Sequence, residues 1–352
     1  MAAELSPIRG RGAAANPANR FELLQYEPDP EAEPDASAPA TQFFRDSSRT
    51  VIAYNNSPDV GFDASINPYR GCEHGCVYCY ARPTHEYLGF SAGLDFETKI
   101  MVKEDAPELL RRELSSPHWK PQPLALSGVT DPYQPIERRF HLTRRCLEVL
   151  AEFRNPVVII TKNRLVTRDT DLLIELAGRR AISVFVSVTT LDPELARTLE
   201  PRATAPAGRL AAIEELAKAG VPVGTLIAPI IPGLTDHELP AIAAAVASAG
   251  ARYAAYVMLR LPYAVTDLFT AWLERHRPAS KERVLGRIRD LRNGNLNDPR
   301  FGSRMRGEGV LADQIRALFH LACERAGLNR SRPELSTAAF RRPQGTQCLL
   351  FE

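Results

Sequence analysis

From residue 51 onward, short apolar runs alternate with helical patterns, and no other feature of the chain constrains its fold as tightly. The runs cover Asp63–Ile66, Leu124–Ser127, Val157–Thr161, Ser183–Val188, Val223–Ala228 and Tyr253–Leu259. Helical patterns cover Ala106–Leu114, Thr143–Phe153, Arg168–Gly178, Arg209–Ala219 and Asp236–Ala249. A chain that alternates in this way builds βα units on a parallel sheet. Right-handed crossovers then leave the sheet open or curl it into a barrel. Thr143 and Asp236 are placed to cap helix starts, and Gly220 suits the position just past a helix end. At 352 residues the chain has length for one large α/β domain with extensions, or for two smaller domains.

The residues just past each strand bear on function, because in parallel α/β folds the active face lies at the carboxyl ends of the strands. The first run leads into Asn67-Pro-Tyr-Arg-Gly-Cys72-Glu-His-Gly-Cys76-Val-Tyr-Cys79-Tyr80, which holds three of the six cysteines. After the second run comes Ser127-Gly-Val-Thr130-Asp131-Pro-Tyr133-Gln134-Pro135. The third ends in Thr161-Lys162-Asn163, the fourth in Ser187-Val-Thr189-Thr190, the fifth in Ala228-Pro229 and the sixth in Arg260. Six polar or special ends in a row, opening on a cysteine triad, are hard to read as six unrelated turns.

The triad has the spacing C-x3-C-x2-C. Three thiolates on one loop can hold three irons of a cubane iron–sulfur cluster, which normally takes a cysteine at each iron. With no fourth cysteine nearby, one iron is left open to chemistry. A structural zinc site with His74 or His85 as fourth ligand is the alternative, although zinc motifs usually pair C-x2-C units. A disulfide framework is not expected in a chain of this size with no secretory signal.

The cysteine stretch resembles the signature of the radical S-adenosylmethionine (SAM) superfamily, including the aromatic Tyr78 just before the third cysteine. The likeness covers roughly residues 60–262. Within the superfamily the chain looks most similar to the spore photoproduct lyase branch of DNA-repair-photolyase-like proteins, and there to a bacterial group whose reaction is unassigned. The residues that carry this are Cys79-Tyr-Ala-Arg82, Ser127–Pro135, Thr161-Lys162, Ser187–Thr190 with Leu199-Glu200-Pro201, and Ala228-Pro-Ile-Ile-Pro-Gly233. The resemblance implies a partial (β/α)6 TIM-type barrel with the cluster loop after its first strand and a helical C-terminal extension. It implies a [4Fe–4S] cluster on Cys72, Cys76 and Cys79, with SAM chelated at the open iron. Reductive cleavage of SAM, fed by a reductant such as flavodoxin or ferredoxin, then yields methionine and a 5′-deoxyadenosyl radical.

The same resemblance suggests roles at the strand ends. Tyr78 is expected beside the adenine side of SAM. Lys162, a compact cation, suits the SAM carboxylate. Ser127 and Ser187 suit the amino-acid moiety or the ribose. Superfamily members often carry Gly-Gly-Glu after the second strand to bind the SAM amino group; here Asp131 is the substitute acceptor. Ala228 offers backbone to adenine, and Glu200 and Arg197 either pair with each other or serve as ligands. No catalytic side chain is assigned. Spore photoproduct lyases use an extra cysteine as hydrogen-atom donor, but none stands after the second strand here. Cys146 and Cys323 fall on apolar helix phases and read as core. Cys348 lies in the tail Gln347-Cys-Leu-Leu-Phe351.

The expected organisation is a flexible tail over 1–50, a core domain over 51–262, and a helical extension and tail over 263–352. Glu27-Pro-Asp-Pro-Glu-Ala-Glu-Pro-Asp35 has too little apolar surface to order itself. Arg9-Gly-Arg-Gly12, Asn19-Arg20-Phe21 and Phe43–Asp46 are pieces that can dock on the body, though a solvated tail is the expectation. Beyond Pro262, helices are predicted over Leu268–His276, Lys281–Leu291 and Ala312–Ala326. The arginine-bearing stretch Arg292–Gly309 is of a kind that can follow a phosphate backbone. The net charge of +2 gives no global argument for nucleic acid. No apolar run reaches the ~18 residues of a membrane span, and the chain reads as cytoplasmic with no membrane partner. The leading reading is a lyase-like radical SAM enzyme acting on a nucleic-acid or nucleotide-like substrate. A peptide or small-metabolite substrate, a non-catalytic iron–sulfur protein and a zinc-stabilised binding protein stand as alternatives.

Overall fold

The computed structural model describes residues 8–22, 39–331 and 334–343. Its strands are β1 (Gln42–Arg45), β2 (Ile52–Tyr54), β3 (Ala64–Ile66), β4 (Tyr69–Arg70), β5 (Lys99–Val102), β6 (Leu124–Leu126), β7 (Val157–Thr161), β8 (Ile182–Ser187), β9 (Val223–Ile230) and β10 (Tyr253–Met258). Seven of them pair in the order β10-β9-β8-β7-β6-β3-β2. All neighbours run parallel except β2, which is antiparallel to β3. The six expected runs are thus the six parallel strands, with ends shifted by one or two residues. Among the described residues β10 and β2 do not pair with each other, so the sheet is an open arc, a partial barrel.

The helices between the strands cover the outer face. Leu147, Leu150 and Phe153 on Leu142–Phe153 are fully buried and share one core with Leu126, Ile159, Val184 and Ile227. Two expected caps are absent. The residue before the Leu142–Phe153 helix is His141, and the Thr143 hydroxyl donates to the Pro132 carbonyl at 2.5 Å. Asp236 opens a one-turn 3-10 helix, and its carboxylate pairs with Arg287 at 3.0 Å. Both side chains find a partner outside the helix, which is why neither caps. Gly220 does lie just past the Pro206–Lys218 helix, at φ +79°.

The tail expected over 1–50 is corrected over residues 8–22 and 39–50. β1 joins a small sheet in the order β1-β5-β4, and residues 8–22 strap across the cysteine loop. The backbone amides of Gly12 and Ala13 donate to the buried Glu97 carboxylate at 3.0 and 2.8 Å. Arg11 donates to the Glu97 and Pro39 carbonyls. This strip is tied by hydrogen bonds to buried acceptors, so its low apolar content did not forecast disorder there. The Glu27–Asp35 segment lies outside the described residues.

The extension beyond Pro262 contains the helices Val265–His276, Lys281–Leu291 and Val310–Ala326. The first two pack on Val77, Tyr78 and Leu199 beside the cysteine loop. The third covers the edge strand β10, with the Phe319 ring 4.6 Å from that of Tyr256. The Asn329 side-chain amide satisfies both backbone groups of Ala254 at 2.9 Å, and Arg306 donates to the Tyr256 carbonyl. An edge whose backbone groups are engaged no longer templates another strand. Among the described residues no helix is long and apolar enough to cross a membrane.

Candidate active site

The cysteine loop leaves β3 and is pinned on every side. Gly71 and Gly75 turn it at φ +79° and +67°, where a β-carbon would be strained. A β-carbon on Gly75 would also stand 2.7 Å from the Glu97 carboxylate. The Cys72 amide donates to the Phe96 carbonyl at 2.9 Å, and the Val77 amide to the Leu199 carbonyl at 3.1 Å. Arg82, fully buried, donates through Nε to the Cys76 carbonyl and pairs with Glu97. Cys72 and Cys76 are buried, Cys79 is half-buried, and all three are free thiols. Burial raises the Cys79 thiol, and the neighbouring Cys72 charge raises it further.

Across from the loop, the end of β7 presents Lys162. Its ammonium donates to the Ala228 carbonyl at 3.2 Å and lies 3.9 Å from Glu200 Oε1. Glu200 is the hub of this side. Its carboxylate accepts from the Tyr78 hydroxyl, from Arg209 Nη2 and, at 2.7 Å, from the Thr189 hydroxyl. Burial would raise the Glu200 carboxyl, but the Arg209 guanidinium and the Lys162 ammonium hold it at about 2. The pairing with Arg197 is therefore replaced by one with Arg209, which also donates to the Ser187 carbonyl at 3.1 Å. Tyr78, Lys162, Ser187 and Ala228 thus meet around one carboxylate that sequence reasoning does not place among the site residues.

Asp131 does not stand free as an amine acceptor. Its Oδ1 accepts from the Thr161 hydroxyl at 2.7 Å and the Tyr133 amide at 2.9 Å, and its Oδ2 from the Lys162 amide at 2.7 Å. It brackets the backbone that carries Lys162. His74 Nδ1 lies 3.4 Å from the same carboxylate. Burial opposes charge on His74, but Asp131 and Cys72 outweigh it and push the imidazole up to about 10. Ser127 stands apart from the hub: its hydroxyl reaches the Thr130 carbonyl at 3.3 Å. It takes φ +154° and is followed by Gly128 at +133°. Sparsely populated backbone of this kind collects at functional sites, and the Tyr80 hydroxyl donates to the Gly128 carbonyl.

Of the two candidate fourth ligands for zinc, only His85 keeps an open nitrogen: its Nδ1 is buried with no hydrogen-bond partner, and the ring packs beside Phe90 and Phe96. Both ring nitrogens of His74 face partners, Asp131 and the Asn163 side chain at 3.2 Å. His85 Nε2 meets the Lys99 carbonyl at 2.9 Å. Among the described residues no group of three or more His, Cys, Asp or Glu is placed to hold a metal ion. A cubane, in contrast, spreads its ligands over separate irons, and three free thiols on one short loop suit a cationic iron cluster. Cys146 and Cys323 are buried in the core, and Cys348 lies outside the described residues.

Free thiols after the first parallel strand and a lysine at a later strand end share the carboxyl-end face of the arc, where α/β enzymes keep their active sites. The family model described as the Radical SAM superfamily matches residues 66–246, just over half of the chain, and the protein belongs to that superfamily. An uncharacterised protein of Mycobacterium tuberculosis is 38% identical over 254 residues, covering 71% of this chain and 74% of its own. An uncharacterised protein of Methanocaldococcus jannaschii is 33% identical over 173 residues, covering 49% and 62%. Among solved structures, spore photoproduct lyase with bound dinucleoside spore photoproduct has the same fold. Its TM-score is 0.57 at 16% identity, over 81% of this chain and 80% of that one. A second spore photoproduct lyase structure holds bound AdoMet as well. The chain is a radical SAM enzyme, and its cofactors are those of the family, a [4Fe–4S] cluster and SAM.

Proposed function

We propose that the protein holds its [4Fe–4S] cluster through Cys72, Cys76 and Cys79 and binds the SAM carboxylate with Lys162. In this reading it acts, lyase-like, on a nucleic-acid or nucleotide-like substrate. The observation that carries it is the Lys162 ammonium, held at the end of β7 by Ala228 and Glu200, with Tyr78 linking Glu200 back to the cysteine loop. When bound, cluster and SAM supply a 5′-deoxyadenosyl radical once a flavodoxin- or ferredoxin-type donor delivers an electron.

The chain's own residues hold and orient. Asp131 fixes the Lys162 backbone, and Glu200 fixes the direction of its ammonium, which leaves the remaining ammonium donors for a carboxylate. Charge-assisted contacts of this sort position a bound group more sharply than neutral ones. The helices Val265–His276 and Lys281–Leu291 close the flank of the cysteine loop with apolar side chains and keep water from that side.

The substrate class rests on two supports. The fold matches that of an enzyme solved with a dinucleoside lesion, and the arginine-bearing stretch Arg292–Gly309 folds back to the barrel end, where Arg306 holds β10. A deuterium-transfer screen tests it. Deuterated DNA, RNA and nucleotides are offered to the anaerobic, reduced holoenzyme, and 5′-deoxyadenosine is examined for label. Label from a nucleotide unit is expected; label only from a peptide or small metabolite would replace the nucleotide reading.

A further inference from the structure

Arg260 stands two residues past the end of β10, at the cysteine-loop end of the sheet. Its guanidinium lies over the Tyr80 ring at 5.1 Å, and Tyr80 directly follows Cys79. Its polar contacts are poor. Nη1 reaches the Met305 sulfur at 3.9 Å, a weak acceptor, and Nε is buried with no hydrogen-bond partner. Among the described residues no carboxylate forms an ion pair with Arg260.

A nearby carboxylate, Asp59, favours its charge through space but makes no ion pair with it and is held by other donors. Asp59 accepts from Arg304 Nε and from the Gly302 amide. Arg292, also buried, is tied by the carbonyls of Ser303, Leu259 and Arg304 at 2.7, 2.8 and 2.9 Å, with no ion pair of its own among the described residues. Burial, and then repulsion from Arg304, disfavour the charge on Arg260. A partly buried cation with unmet donors is costly unless an anion completes it. Nε and the two Nη groups form a planar fork that matches the oxygens of a phosphate.

Arginine–aromatic pairs recur on exposed rings of this region. Tyr80, Tyr263 and Phe301 are all exposed, and each lies under an arginine. Arg20 stands 3.6 Å from the Tyr263 ring centroid and Arg304 4.3 Å from that of Phe301. The cysteine loop and the C-terminal extension thus bring Tyr80 and the Arg304–Phe301 pair to the side of one unsatisfied guanidinium. Rings of this kind stack bases and arginines take the backbone.

We propose that Arg260 is an anion subsite of the active site and takes a phosphate of the substrate. The assignment of that phosphate to a nucleotide rests on the reading given under Proposed function. Arg260 is half-buried, and its Nε is fully so.

The test uses calorimetry on the anaerobic holoprotein with SAM present. The probes are a dinucleoside monophosphate, its neutral methylphosphonate analogue, and inorganic phosphate. Wild type is expected to bind the charged dinucleotide about tenfold tighter than the neutral one, and Arg260→Gln to lose that preference. Arg260→Lys, which keeps the charge without the fork, is expected to recover part of it and serves as the working variant if Arg260→Gln does not fold. A variant that retains the full preference overturns the subsite and leaves the nucleotide reading standing. If wild type binds neither dinucleotide, the nucleotide reading fails, and inorganic phosphate decides on Arg260 alone. Phosphate binding lost in the variant upholds an anion subsite for another substrate class; equal heats in both proteins, or none in either, overturn it.

Discussion

At the residue scale the site is built around a buried carboxylate. Glu200 lies between Arg209, Lys162, Tyr78 and Thr189, and its removal leaves a buried guanidinium unpaired. Glu200→Ala is therefore expected to cost about 3–5 kcal/mol in denaturant unfolding of the apoprotein; a loss below about 1 kcal/mol, the scale of an ordinary substitution, would refute the hub. Lys162→Ala is expected to keep its iron and weaken SAM binding about 10- to 100-fold, the worth of a charge-assisted hydrogen bond; unchanged SAM affinity would remove the carboxylate assignment. His85 gives a pH prediction. Burial lowers its imidazole to about 4, below the usual 6.5. The unfolded chain then binds the extra proton first, so His85 contributes stability above pH 6.5 that is lost as pH falls towards 4, up to about 3 kcal/mol. His85→Phe is expected to flatten that part of the stability profile, and an unchanged slope would contradict it. The positions of the three cysteines and Lys162 at strand ends were legible in the sequence, because the apolar runs before them mark where the strands stop. Arg209 was not, because nothing local tells a helix residue nine positions on that its partner is Glu200. Asp131 was misread for a related reason: its turn position was visible, but not that the Thr161 hydroxyl and the Lys162 amide would fill its acceptor sites.

At the element scale the parallel strands were legible because buried strands of an α/β sheet are continuous apolar runs of the right length. The strap over residues 8–22 was not, since it gains its order from backbone amides on Glu97, a carboxylate far away in sequence. Gly12 makes that strap possible. A β-carbon there would stand 1.8 Å from the Gly75 carbonyl oxygen. Gly12→Ala is therefore expected to release the segment, seen as fast hydrogen exchange at residues 12 and 13 while the strands of the arc stay protected. Retained protection at both amides would mean that the strap can shift and still hold. The two absent caps at Thr143 and Asp236 teach the same lesson from the other side: a capping residue caps only when no tertiary partner claims it.

At the scale of the whole molecule, the N-terminal strap, the arc and the C-terminal helices converge on the loop after β3. The extension was legible as helices but not as a wall of the site, because amphipathic periodicity gives a buried face and not its neighbour. Here that neighbour is Val77 and Tyr78 for two helices and the open edge of β10 for the third. The most direct measurement is SAM turnover by the anaerobically reconstituted, chemically reduced protein. Wild type is expected to form 5′-deoxyadenosine and methionine, and the Cys72→Ala, Cys76→Ala and Cys79→Ala variants to lose cluster iron and SAM cleavage together. A wild-type protein with an intact cluster, no SAM-dependent change in its spectrum and no 5′-deoxyadenosine would contradict an active site built on the cysteine loop and Lys162.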